Sequence, residues 1–434
     1  MKTEQLYEIY LQHPIITTDS RDCLPGSIFF ALKGASFNGN HYAASALEKG
    51  CAYAVVEQEF APEGDERFIA VDNPEKTLQD LAAYHRQQLN IPVLQITGTN
   101  GKTTTKELIA CVLQEAHNVL FTQGNLNNHL GVPRTLLRIT KEHDIAVIET
   151  GANHPGEIAF LCNMVKANYG LITNVGRAHL EGFGSFQGVK DAKGELYDDI
   201  SQRGGTIFLN ALDEDILRMA EEHNFRLNDN AIPYIEGRIE ECNPFVKIQW
   251  RSEDDKPWHT IQTHLIGGYN ISNLRAAITV GLHFGVTPEQ ICHAIENYAP
   301  SNSRSEFCDT GRNHLIVDAY NANPSSMAAA LINFQFIEDA HKMVILGDMR
   351  ELGDDSETEH RKIMDLVAGM PLEEVWLVGQ NFASLNYQNS TINTKYFKDV
   401  EAVKEELSKR ALSGKTILIK GSNGTKLFLL PKYL

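Results

Sequence analysis

The residues best suited to chemistry form a glycine-rich loop, Gly98-Thr-Asn-Gly-Lys-Thr103. Glycines after a buried strand let backbone N–H groups turn inward around phosphate oxygens, and a following helix adds its positive N-terminal end. Lys102 can then reach the β and γ phosphates of a nucleotide, and the Thr103 hydroxyl can bind Mg²⁺. The spacing is shorter than usual, since Ile96 stands where the longer motif has its first glycine. The loop therefore predicts a site for the phosphates of ATP.

Two more side chains have the placement that metal binding would require. Glu149 comes directly after the apolar run 145–148, and His179 follows the apolar run 170–173 by a short loop. Because open α/β sheets place ligands at the carboxyl ends of their strands, both residues are expected at one sheet edge. Taken alone, Glu149 is equally well explained as a capping or solvated carboxylate. A single loop histidine is more often structural than a ligand.

Alternating strands and helices must position these residues, and they predict three α/β domains. The predicted limits are residues 1–91, 92–299 and 300–434, with the second boundary at Pro300 and the turn 301–303. The predicted strands are residues 27–33, 52–56, 67–71, 93–96, 145–148, 170–173, 315–318, 343–346, 375–378 and 416–420. The predicted helices are residues 41–49, 75–89, 270–284 and a helix directly after the phosphate loop. Strands and helices alternate in the last block as in a doubly wound fold.

The middle block contains two kinds of strand pattern. Continuous apolar runs such as 145–148 are typical of parallel strands that are buried on both faces. Between residues 225 and 266 apolar and polar residues instead alternate, as in the stretch 246–250. We therefore expect an antiparallel addition to the parallel sheet of the middle domain.

Composition excludes several classes of function. The net charge of −17 argues against a nucleic-acid surface, because phosphate backbones require clustered Lys and Arg. No segment approaches the roughly 20 apolar residues that span a bilayer, and residues 1–10 lack the apolar core of a signal peptide. The 7 cysteines are odd in number, scattered and never spaced as CxxC. Reduced thiols in a cytoplasmic protein are the expected state.

Several segments of the chain resemble the Mur ligase family, the ATP-dependent amide-forming enzymes that build the peptide stem of bacterial peptidoglycan. The segments are residues 97–107, 149–153, 174–179, 192–195 and 267–273. The resemblance covers nearly the whole chain, and the short spacing of the phosphate loop is the family's own form. It implies an N-terminal α/β domain for a UDP-linked substrate, a central P-loop-type ATP-binding domain with a parallel sheet, and a C-terminal Rossmann-like domain.

Four further segments are similar to the family member that joins D-alanyl-D-alanine to UDP-N-acetylmuramoyl-tripeptide. They are residues 19–21 with 25–26, then 124–128, 318–324 and 346–353. This similarity implies that ATP phosphorylates the terminal carboxylate of the donor, and that the amine of the dipeptide then displaces phosphate. A related member carries an Asp-Asn-Pro-Arg motif in its last domain. Here the run 72–74 is followed by Glu75 and lies in the first domain, so we interpret it as a turn.

The resemblance also implies catalytic and metal-binding roles. Lys102 would neutralise the β and γ phosphates, and Thr103 and Glu149 would hold one Mg²⁺ on the nucleotide. His179 would hold a second Mg²⁺ that bridges to the acyl phosphate. Lys193 matches a lysine that is carbamylated in the family, which would turn a cation into an anionic oxygen ligand for the second ion. Without the resemblance, Lys193 would be interpreted as a solvent-facing helical lysine.

Nucleotide contacts are implied in two further places. Asn270 and Asn273 match the adenine segment and lie one helical turn apart, with Tyr269 where the family usually has His. Arg304 matches a phosphate-binding arginine, whose guanidinium can bridge two oxygens. Asp318 could accept hydrogen bonds from ribose hydroxyls or simply start a turn. The residues expected to bind ATP are Gly98, Thr99, Asn100, Gly101, Lys102, Thr103, Thr104, Asn270, Asn273, Arg304 and Asp318.

Substrate contacts are expected in all three domains. The residues are Ser20 and Arg21 for the UDP part, Asn125, Asn127 and Asn128 for the muramyl-peptide, and Asn321 and Asn323 for the acceptor dipeptide. Residues 420–422 are a weaker candidate for the dipeptide. The resemblance implies a monomer that acts on small molecules, without nucleic-acid or membrane partners.

Two other interpretations compete with this one. The chain could be another ligase of the same fold, such as the enzyme that adds an amino acid to UDP-muramoyl-dipeptide or one that adds glutamate to folate. It could also be a nucleotide-dependent switch with an inactive site. The presence of Lys102, Glu149, His179 and Lys193 argues against the switch, because a non-catalytic protein does not need all four.

Overall fold

The structure is a computed structural model, and it describes residues 1–34, 36–300, 304–385, 387 and 393–434. Along these residues the chain forms three α/β units in sequence order, which confirms the predicted fold class. The predicted boundary turn at residues 301–303 lies outside the described residues, so the three domain limits stay predictions. No helix among the described residues combines the length and apolar character needed to cross a bilayer.

The N-terminal domain is built on a small parallel sheet. Its strands are β1 (Ile16–Thr17), β2 (Ile28–Phe30), β3 (Lys33–Gly34), β4 (Phe37–Asn38), β5 (Tyr53–Glu57) and β6 (Phe68–Val71). Its helices are α1 (Thr3–Gln12), α2 (Ala43–Glu48) and α3 (Pro74–Gln87), with 3-10 turns at Gly39–Tyr42 and Gln58–Phe60. The parallel sheet has the order β1-β2-β5-β6, and β3 and β4 form a short antiparallel pair.

Two elements of this domain are shorter than predicted. The strand expected at residues 27–33 ends at Phe30, because the chain turns there and Leu32 N donates to Phe30 O at 3.0 Å. The helix expected at residues 41–49 is α-helical over Ala43–Glu48 and is preceded by a 3-10 turn.

The middle domain contains a parallel sheet whose central strand leads into the phosphate loop. Its strands are β7 (Val93–Thr97), β8 (Val119–Phe121), β9 (Ile145–Glu149), β10 (Tyr169–Ile172), β11 (Thr206–Leu209) and β12 (Ala231–Pro233). Its first helices are α4 (Lys102–Gln114), α5 (Gly131–Leu136), α6 (Glu157–Val165), α7 (Leu180–Phe183), α8 (Phe186–Gln202) and α9 (Glu214–Glu222). The order is β12-β11-β10-β7-β9-β8. Since β7 lies between β10 and β9, their carboxyl ends bring the predicted phosphate and metal residues to one edge.

The predicted antiparallel addition is present in the same domain. It consists of β13 (Glu236–Cys242), β14 (Phe245–Arg251) and β15 (His259–Ile266), in that order. It begins later than the expected residue 225, because residues 231–233 join the parallel sheet as β12. A 3-10 turn at Gly268–Asn270 then leads into α10 (Ile271–His283), which packs against α4, and α11 (Pro288–Asn297) follows.

The C-terminal domain has the doubly wound pattern predicted for it. Its strands are β16 (Glu306–Asp309), β17 (His314–Asp318), β18 (Lys342–Gly347), β19 (Glu374–Val378), β20 (Thr394–Phe397) and β21 (Thr416–Lys420). Its helices are α12 (Pro324–Gln335), α13 (Ser356–Ala368), α14 (Gln380–Ser384) and α15 (Val400–Lys409), with 3-10 turns at Gly353–Asp355, Asn423–Thr425, Leu427–Leu429 and Pro431–Tyr433. The order is β16-β17-β21-β18-β19-β20, with β16 antiparallel to β17 and the remaining pairs parallel.

The N-terminal domain is joined to the middle domain by apolar packing. Leu78 and Leu81 of α3 share a buried core with Val132 of α5 and Leu161 of α6. Arg86 Nε also donates to the backbone carbonyl of Val165 at 3.0 Å. Burial of this apolar surface holds α3 against α5 and α6 of the middle domain.

Candidate functional site

The phosphate loop contains two glycines that other residues could not easily replace. Gly98 has a φ of +139° and Gly101 a φ of +78°, both in the left-handed region that favours glycine. A Cβ at Gly98 would lie 2.0 Å from Thr173 Oγ1, and one at Gly101 would lie 2.8 Å from Asn273 Oδ1. The loop therefore packs tightly against the segment after β10 and against α10.

The segment after β10 also fixes the shape of the loop. Asn100 N donates to Asn174 Oδ1 at 3.0 Å, and Asn174 Nδ2 donates to Asn100 O at 2.9 Å. Thr173 Oγ1 donates to the same carbonyl at 2.7 Å, and Thr99 N donates to Asn174 O at 3.0 Å. Because the loop is already held by these bonds, binding a phosphate does not require it to be ordered first.

Lys102 is the first residue of α4, and its ammonium group folds back over the loop. Nζ donates to Gly98 O at 2.7 Å and to Thr99 O at 3.0 Å. Burial lowers the pKa of Lys102, the carboxylate of Glu149 opposes this effect, and the charge of Arg304 adds to it. The Lys102 amine thus donates to two backbone carbonyl oxygens, and phosphate oxygens of a nucleotide could replace them as acceptors.

Glu149 is the last residue of β9 and is 1% exposed. Asn127 Nδ2 donates to its Oε1 at 2.7 Å. Its Oε2 is buried and has no hydrogen-bond partner among the residues that the structure describes. Since a buried carboxylate oxygen is costly without a donor or a cation, this atom is the clearest indication of a cation site in the cavity.

Lys193 lies on α8 and is 3% exposed, so the alternative of a solvent-facing lysine is wrong. Its Nζ donates to Ala152 O at 3.5 Å and lies 5.3 Å from the centre of the Phe183 ring. Burial, followed by the charge of Lys102, lowers the pKa of Lys193 to about 7. A substantial fraction of this amine is therefore uncharged near neutral pH.

His179 precedes α7 in a left-handed conformation, with a φ of +52°. Its Nδ1 contacts Oε2 of Glu351, a residue of the C-terminal domain. Burial lowers the pKa of His179, Lys102 and Lys193 act in the same direction, and Glu351 opposes them. Burial therefore favours the neutral imidazole, which is the form that binds metals.

The two asparagines expected at adenine are buried at the start of α10. Asn273 Nδ2 donates to Asn270 Oδ1 at 2.8 Å, and Thr105 Oγ1 of α4 donates to Asn273 Oδ1 at 3.0 Å. Tyr269 lies beside them, and its hydroxyl is 2.7 Å from Ser305 Oγ of the C-terminal domain. The amide pair is thus connected directly to the helix that follows the phosphate loop.

Arg304 and Asp318 approach from the C-terminal domain. The guanidinium carbon of Arg304 lies 3.7 Å from the centre of the Tyr320 ring. A guanidinium stacked in this way keeps its N–H groups free for phosphate oxygens. Asp318 ends β17 and forms an ion pair with Lys420, which ends β21 and is 1% exposed. The carboxylate therefore does more than start a turn.

Asn321 and Asn323 differ in their surroundings. Asn323 caps α12, where its Oδ1 accepts from Ser326 N at 2.9 Å, and its Nδ2 donates to Asn100 Oδ1 at 2.8 Å. Asn321 is exposed, and its Oδ1 accepts from Ala322 N at 2.9 Å. Asn323 thus connects the C-terminal domain to the phosphate loop, which the sequence analysis did not predict.

A cavity of about 1230 Å³ brings residues of all three domains together. The predicted site residues in its wall are Thr99, Asn100, Gly101, Lys102, Thr103, Thr104, Asn125, Asn127, Asn128, Glu149, His179, Asn270, Asn273, Arg304, Asp318, Asn321 and Asn323. Gly98 and Lys193 are buried and do not line the cavity. Ser20 and Arg21 are not brought into the cavity, and the Arg21 side chain is 86% exposed and paired with Asp19.

Glu351 and Tyr320 also line the cavity, although neither was predicted as a site residue. Both lie in segments that carry the resemblance, 346–353 and 318–324, and this membership was the signal that could have identified them. Glu351 contacts His179, which is distant in the sequence, and Tyr320 contacts Arg304, to which no sequence pattern links it. Sequence spacing alone could therefore not predict either pair.

Fold and cavity together define a class of protein, a three-domain α/β enzyme with a nucleotide phosphate loop in its middle domain. Three family models match the chain: the Mur ligase family catalytic domain over residues 14–86, the Mur ligase middle domain over 96–281, and the Mur ligase glutamate ligase domain over 303–423. The chain belongs to the Mur ligase family and is an ATP-dependent ligase.

A curated relative and two solved structures are similar over nearly their full length. The UDP-N-acetylmuramoyl-tripeptide–D-alanyl-D-alanine ligase of Haemophilus influenzae is 33% identical over 404 residues, which cover 88% of this chain and 84% of the relative. A crystal structure of MurF from Acinetobacter baumannii has a TM-score of 0.85 at 32% identity and covers 99% of this chain and 97% of its own. MurF from Thermotoga maritima in complex with ADP has a TM-score of 0.83, covers 98% and 97%, and at 21% identity shows the fold alone.

Proposed function

We propose that this chain joins D-alanyl-D-alanine to UDP-N-acetylmuramoyl-tripeptide while ATP is cleaved to ADP and phosphate. The observation that carries the proposal is the single cavity in which the phosphate loop, Glu149 and His179 meet residues of both outer domains. An amide ligase needs such an arrangement, because donor carboxylate, γ-phosphate and acceptor amine must be held together in a fixed geometry. The similarity to the H. influenzae ligase of that name over most of both chains supports the choice of substrates.

The reaction proceeds in two steps. The terminal carboxylate of the donor attacks the γ-phosphorus, the bond to the β-phosphate oxygen breaks, and an acyl phosphate and ADP are formed. The amine of the dipeptide then attacks the acyl carbon, loses a proton, and expels phosphate. Phosphoryl transfer depends mainly on positioning and charge neutralisation. Lys102 supplies a cation for the β and γ phosphates, and Arg304 pairs with two phosphate oxygens.

The rest of the nucleotide is held by residues on both sides of the cavity. Backbone amides of residues 101–104 hold the phosphates at the start of α4, because the amides of Thr99 and Asn100 already donate to Asn174. Asn270 and Asn273 bind adenine, and Asp318 accepts hydrogen bonds from the ribose hydroxyls. Lys420 pairs with the Asp318 carboxylate and holds it in place.

The donor set fits Mg²⁺, which prefers oxygen ligands. Glu149 offers a buried carboxylate oxygen without a protein partner, and Thr103 is a buried hydroxyl at the start of α4. We assign Thr103 and Glu149 to one ion and His179 to a second. Bound there, Mg²⁺ would neutralise charge between the phosphates and the donor carboxylate.

Lys193 would complete the second ion's ligands as a carbamate. Its uncharged amine attacks CO₂, an N–C bond forms, and one proton is released. Burial and a pKa of about 7 support this step, since only the uncharged amine is a nucleophile. The product replaces a cation that would repel Mg²⁺ with an anionic oxygen ligand.

The remaining assignments concern the substrates and the state of the protein. Asn125 and Asn128 contact the muramyl-peptide, Asn127 holds Glu149, and Asn321 and Asn323 lie near the dipeptide. Ser20 and Arg21 bind the UDP part on the N-terminal domain, outside the cavity. The protein acts as a cytoplasmic monomer, with domain limits at 1–91, 92–299 and 300–434.

Isotope transfer tests the proposed reaction. The donor is prepared with both oxygens of its terminal carboxylate as ¹⁸O and is incubated with Mg-ATP and D-alanyl-D-alanine. The mechanism predicts one ¹⁸O atom in the released phosphate and one in the amide of a UDP-muramoyl-pentapeptide. Phosphate without ¹⁸O would overturn the acyl-phosphate route. Product formation with a single amino acid but not with the dipeptide would identify another ligase of this fold.

A further inference from the structure

A carboxylate from the C-terminal domain lies at the end of the cavity that holds Glu149 and His179. Glu351 Oε2 contacts Nδ1 of His179, and both residues line the cavity. Both also adopt left-handed backbone conformations, with φ +52° at His179 and +63° at Glu351. A residue other than glycine keeps this conformation only where its surroundings determine it strongly. The backbone of each residue is therefore held in place by the segment around it.

The turn that carries Glu351 is held by hydrogen bonds from other elements. Met349 N donates to Nε2 of the buried His360 at 3.0 Å. Arg350 N donates to Ser422 Oγ at 3.1 Å. These bonds tie the turn to α13 and to the segment after β21, so Glu351 is presented from a fixed backbone.

The imidazole of His179 is held on two sides. Its ring packs against Phe183, with 6.4 Å between the ring centres, and Glu351 contacts Nδ1. The His179 carbonyl accepts from Phe183 N at 3.0 Å. Close by, Arg177 N donates to Ser325 Oγ at 3.3 Å, which brings the same loop against the C-terminal domain.

We propose that Glu351 is a positioning residue for His179. The Glu351 carboxylate keeps the ring proton of His179 on Nδ1 and leaves the lone pair on Nε2. The inference rests on the metal-binding role proposed for His179. A carboxylate on the second ring nitrogen of a metal-binding histidine fixes its tautomer and orientation and raises its basicity. Because Glu351 belongs to the C-terminal domain, this end of the site is complete only where that domain meets the middle domain.

The tautomer is measured first, in the metal-free full-length protein. ¹⁵N-histidine spectra report which ring nitrogen carries the proton, and His179→Asn identifies the signal. The wild type should show the Nδ1–H form, and Glu351→Ala should show a mixture of both tautomers. Glu351→Gln should retain the Nδ1–H form, because an amide oxygen in the place of the carboxylate can accept from Nδ1. Glu357→Ala is the matched control, since this carboxylate of the same domain is exposed and paired with Arg361.

The metal dependence of the active enzyme is measured second. Glu351→Ala should raise the half-saturating Mg²⁺ concentration roughly 10- to 100-fold, while the KM for ATP at saturating Mg²⁺ changes by less than about threefold. Glu351→Gln should show a smaller rise in the half-saturating Mg²⁺ concentration. Because Gln is nearly the same size as Glu, this variant can be measured even if Glu351→Ala does not fold. The Glu357→Ala control should match the wild type.

Two results would overturn the inference. One is an unchanged tautomer in Glu351→Ala, and the other is a changed tautomer with an unchanged Mg²⁺ dependence. Failure of the proposed function would look different, because the wild type would then form no amide from the two substrates. The tautomer measurement uses neither substrate nor metal, so it would still report on the contact.

Discussion

Asn323 of the C-terminal domain donates through Nδ2 to Asn100 Oδ1 of the phosphate loop at 2.8 Å, and the same side chain caps α12 by accepting from Ser326 N at 2.9 Å. One residue therefore fixes the start of a helix and ties its domain to the nucleotide site. Asn100 Nδ2 also donates to Asn323 Oδ1 at 3.5 Å, so the cap and the domain contact share that oxygen, and a matched cap variant is needed to separate their effects.

Replacing Asn323 with Ala should reduce both stability and ATP affinity. Loss of the cap costs about 1 kcal/mol of unfolding free energy. Loss of the contact with Asn100 loosens the loop, and a net hydrogen bond of about 1 kcal/mol corresponds to a roughly fivefold rise in the KM for ATP. The control is Asp399→Ala, which removes the cap on α15 where Asp399 accepts from Ala402 N at 3.0 Å. An equal KM in the two variants would contradict the role of the domain contact.

Replacing Lys102 with Ala should abolish most of the turnover without unfolding the protein. The substitution removes the cation that neutralises the β and γ phosphates, and loss of one such group typically costs roughly 100- to 1000-fold in rate. Lys76→Ala is the surface control, because that side chain is 65% exposed and pairs with Asp80. Steady-state phosphate release and thermal unfolding check both variants. A Lys102→Ala enzyme that keeps most of its turnover would remove the lysine from the mechanism.

Glu149 and Glu374 are both buried at strand ends but have different partners. Glu374 accepts from Arg410 Nη1 at 2.9 Å, whereas Glu149 Oε2 has no partner among the described residues. Glu149→Gln should therefore abolish turnover while leaving metal-free stability unchanged or higher. Glu374→Gln should keep turnover and lose about 2 kcal/mol of unfolding free energy, because it weakens a charge-assisted hydrogen bond. Denaturant unfolding and phosphate release distinguish them, and a strongly destabilised Glu149→Gln would point to a structural role.

The stability of the CO₂-free, metal-free protein should depend on pH through Lys193. Burial lowers the pKa of Lys193 to about 7 in the folded state, whereas an unfolded lysine titrates near pH 10.4. Between these values the unfolded chain binds a proton that the folded chain does not, so stability rises with pH. Wild type should gain roughly 2 kcal/mol relative to Lys193→Met between pH 7 and pH 9. A constant difference between the two proteins would mean that Lys193 remains charged in the folded state.

Carbamylation of Lys193 should make activity depend on dissolved CO₂. Enzyme prepared in CO₂-depleted buffer is expected to lose turnover and to regain it on addition of bicarbonate. With ¹³C-bicarbonate, wild type should show a carbamate carbon signal in NMR spectra that Lys193→Met lacks. Full activity after thorough CO₂ removal, with no carbamate signal, would leave Lys193 outside the metal site.

The parallel sheets and the phosphate loop were predictable because local sequence encodes them. Residues 145–148 and 416–420 are short apolar runs, and they form the buried strands β9 and β21. Short elements were less predictable, since the strand expected over 27–33 ends where a turn bond forms. The strand propensities of residues 27–33 do not indicate that the chain turns after Phe30.

The relations between domains could not be predicted from local patterns. The contacts of His179 with Glu351 and of Asn100 with Asn323 depend on how separate domains pack. The cap on α12 was predictable, however, because Asn followed by Pro324 is a typical helix start.

The pairing of Arg21 with Asp19 shows what a resemblance leaves open for one residue, whose assignment to the UDP part stays a proposal. The family match assigned Arg21 to the UDP part of the substrate, and the structure pairs it with its near neighbour Asp19 outside the cavity. A matching motif identifies a residue type at a position, but it does not specify which partner the side chain takes in the free protein.

The proposed reaction is tested by measuring phosphate release with Mg-ATP and UDP-N-acetylmuramoyl-tripeptide, with and without D-alanyl-D-alanine. Release should require the dipeptide, equal the amount of amide formed, and disappear in Lys102→Ala. Slow release that is independent of donor and acceptor would contradict it and indicate a nucleotide-dependent switch. No release with the dipeptide, but turnover with a different acceptor, would keep the fold and overturn the proposed substrate.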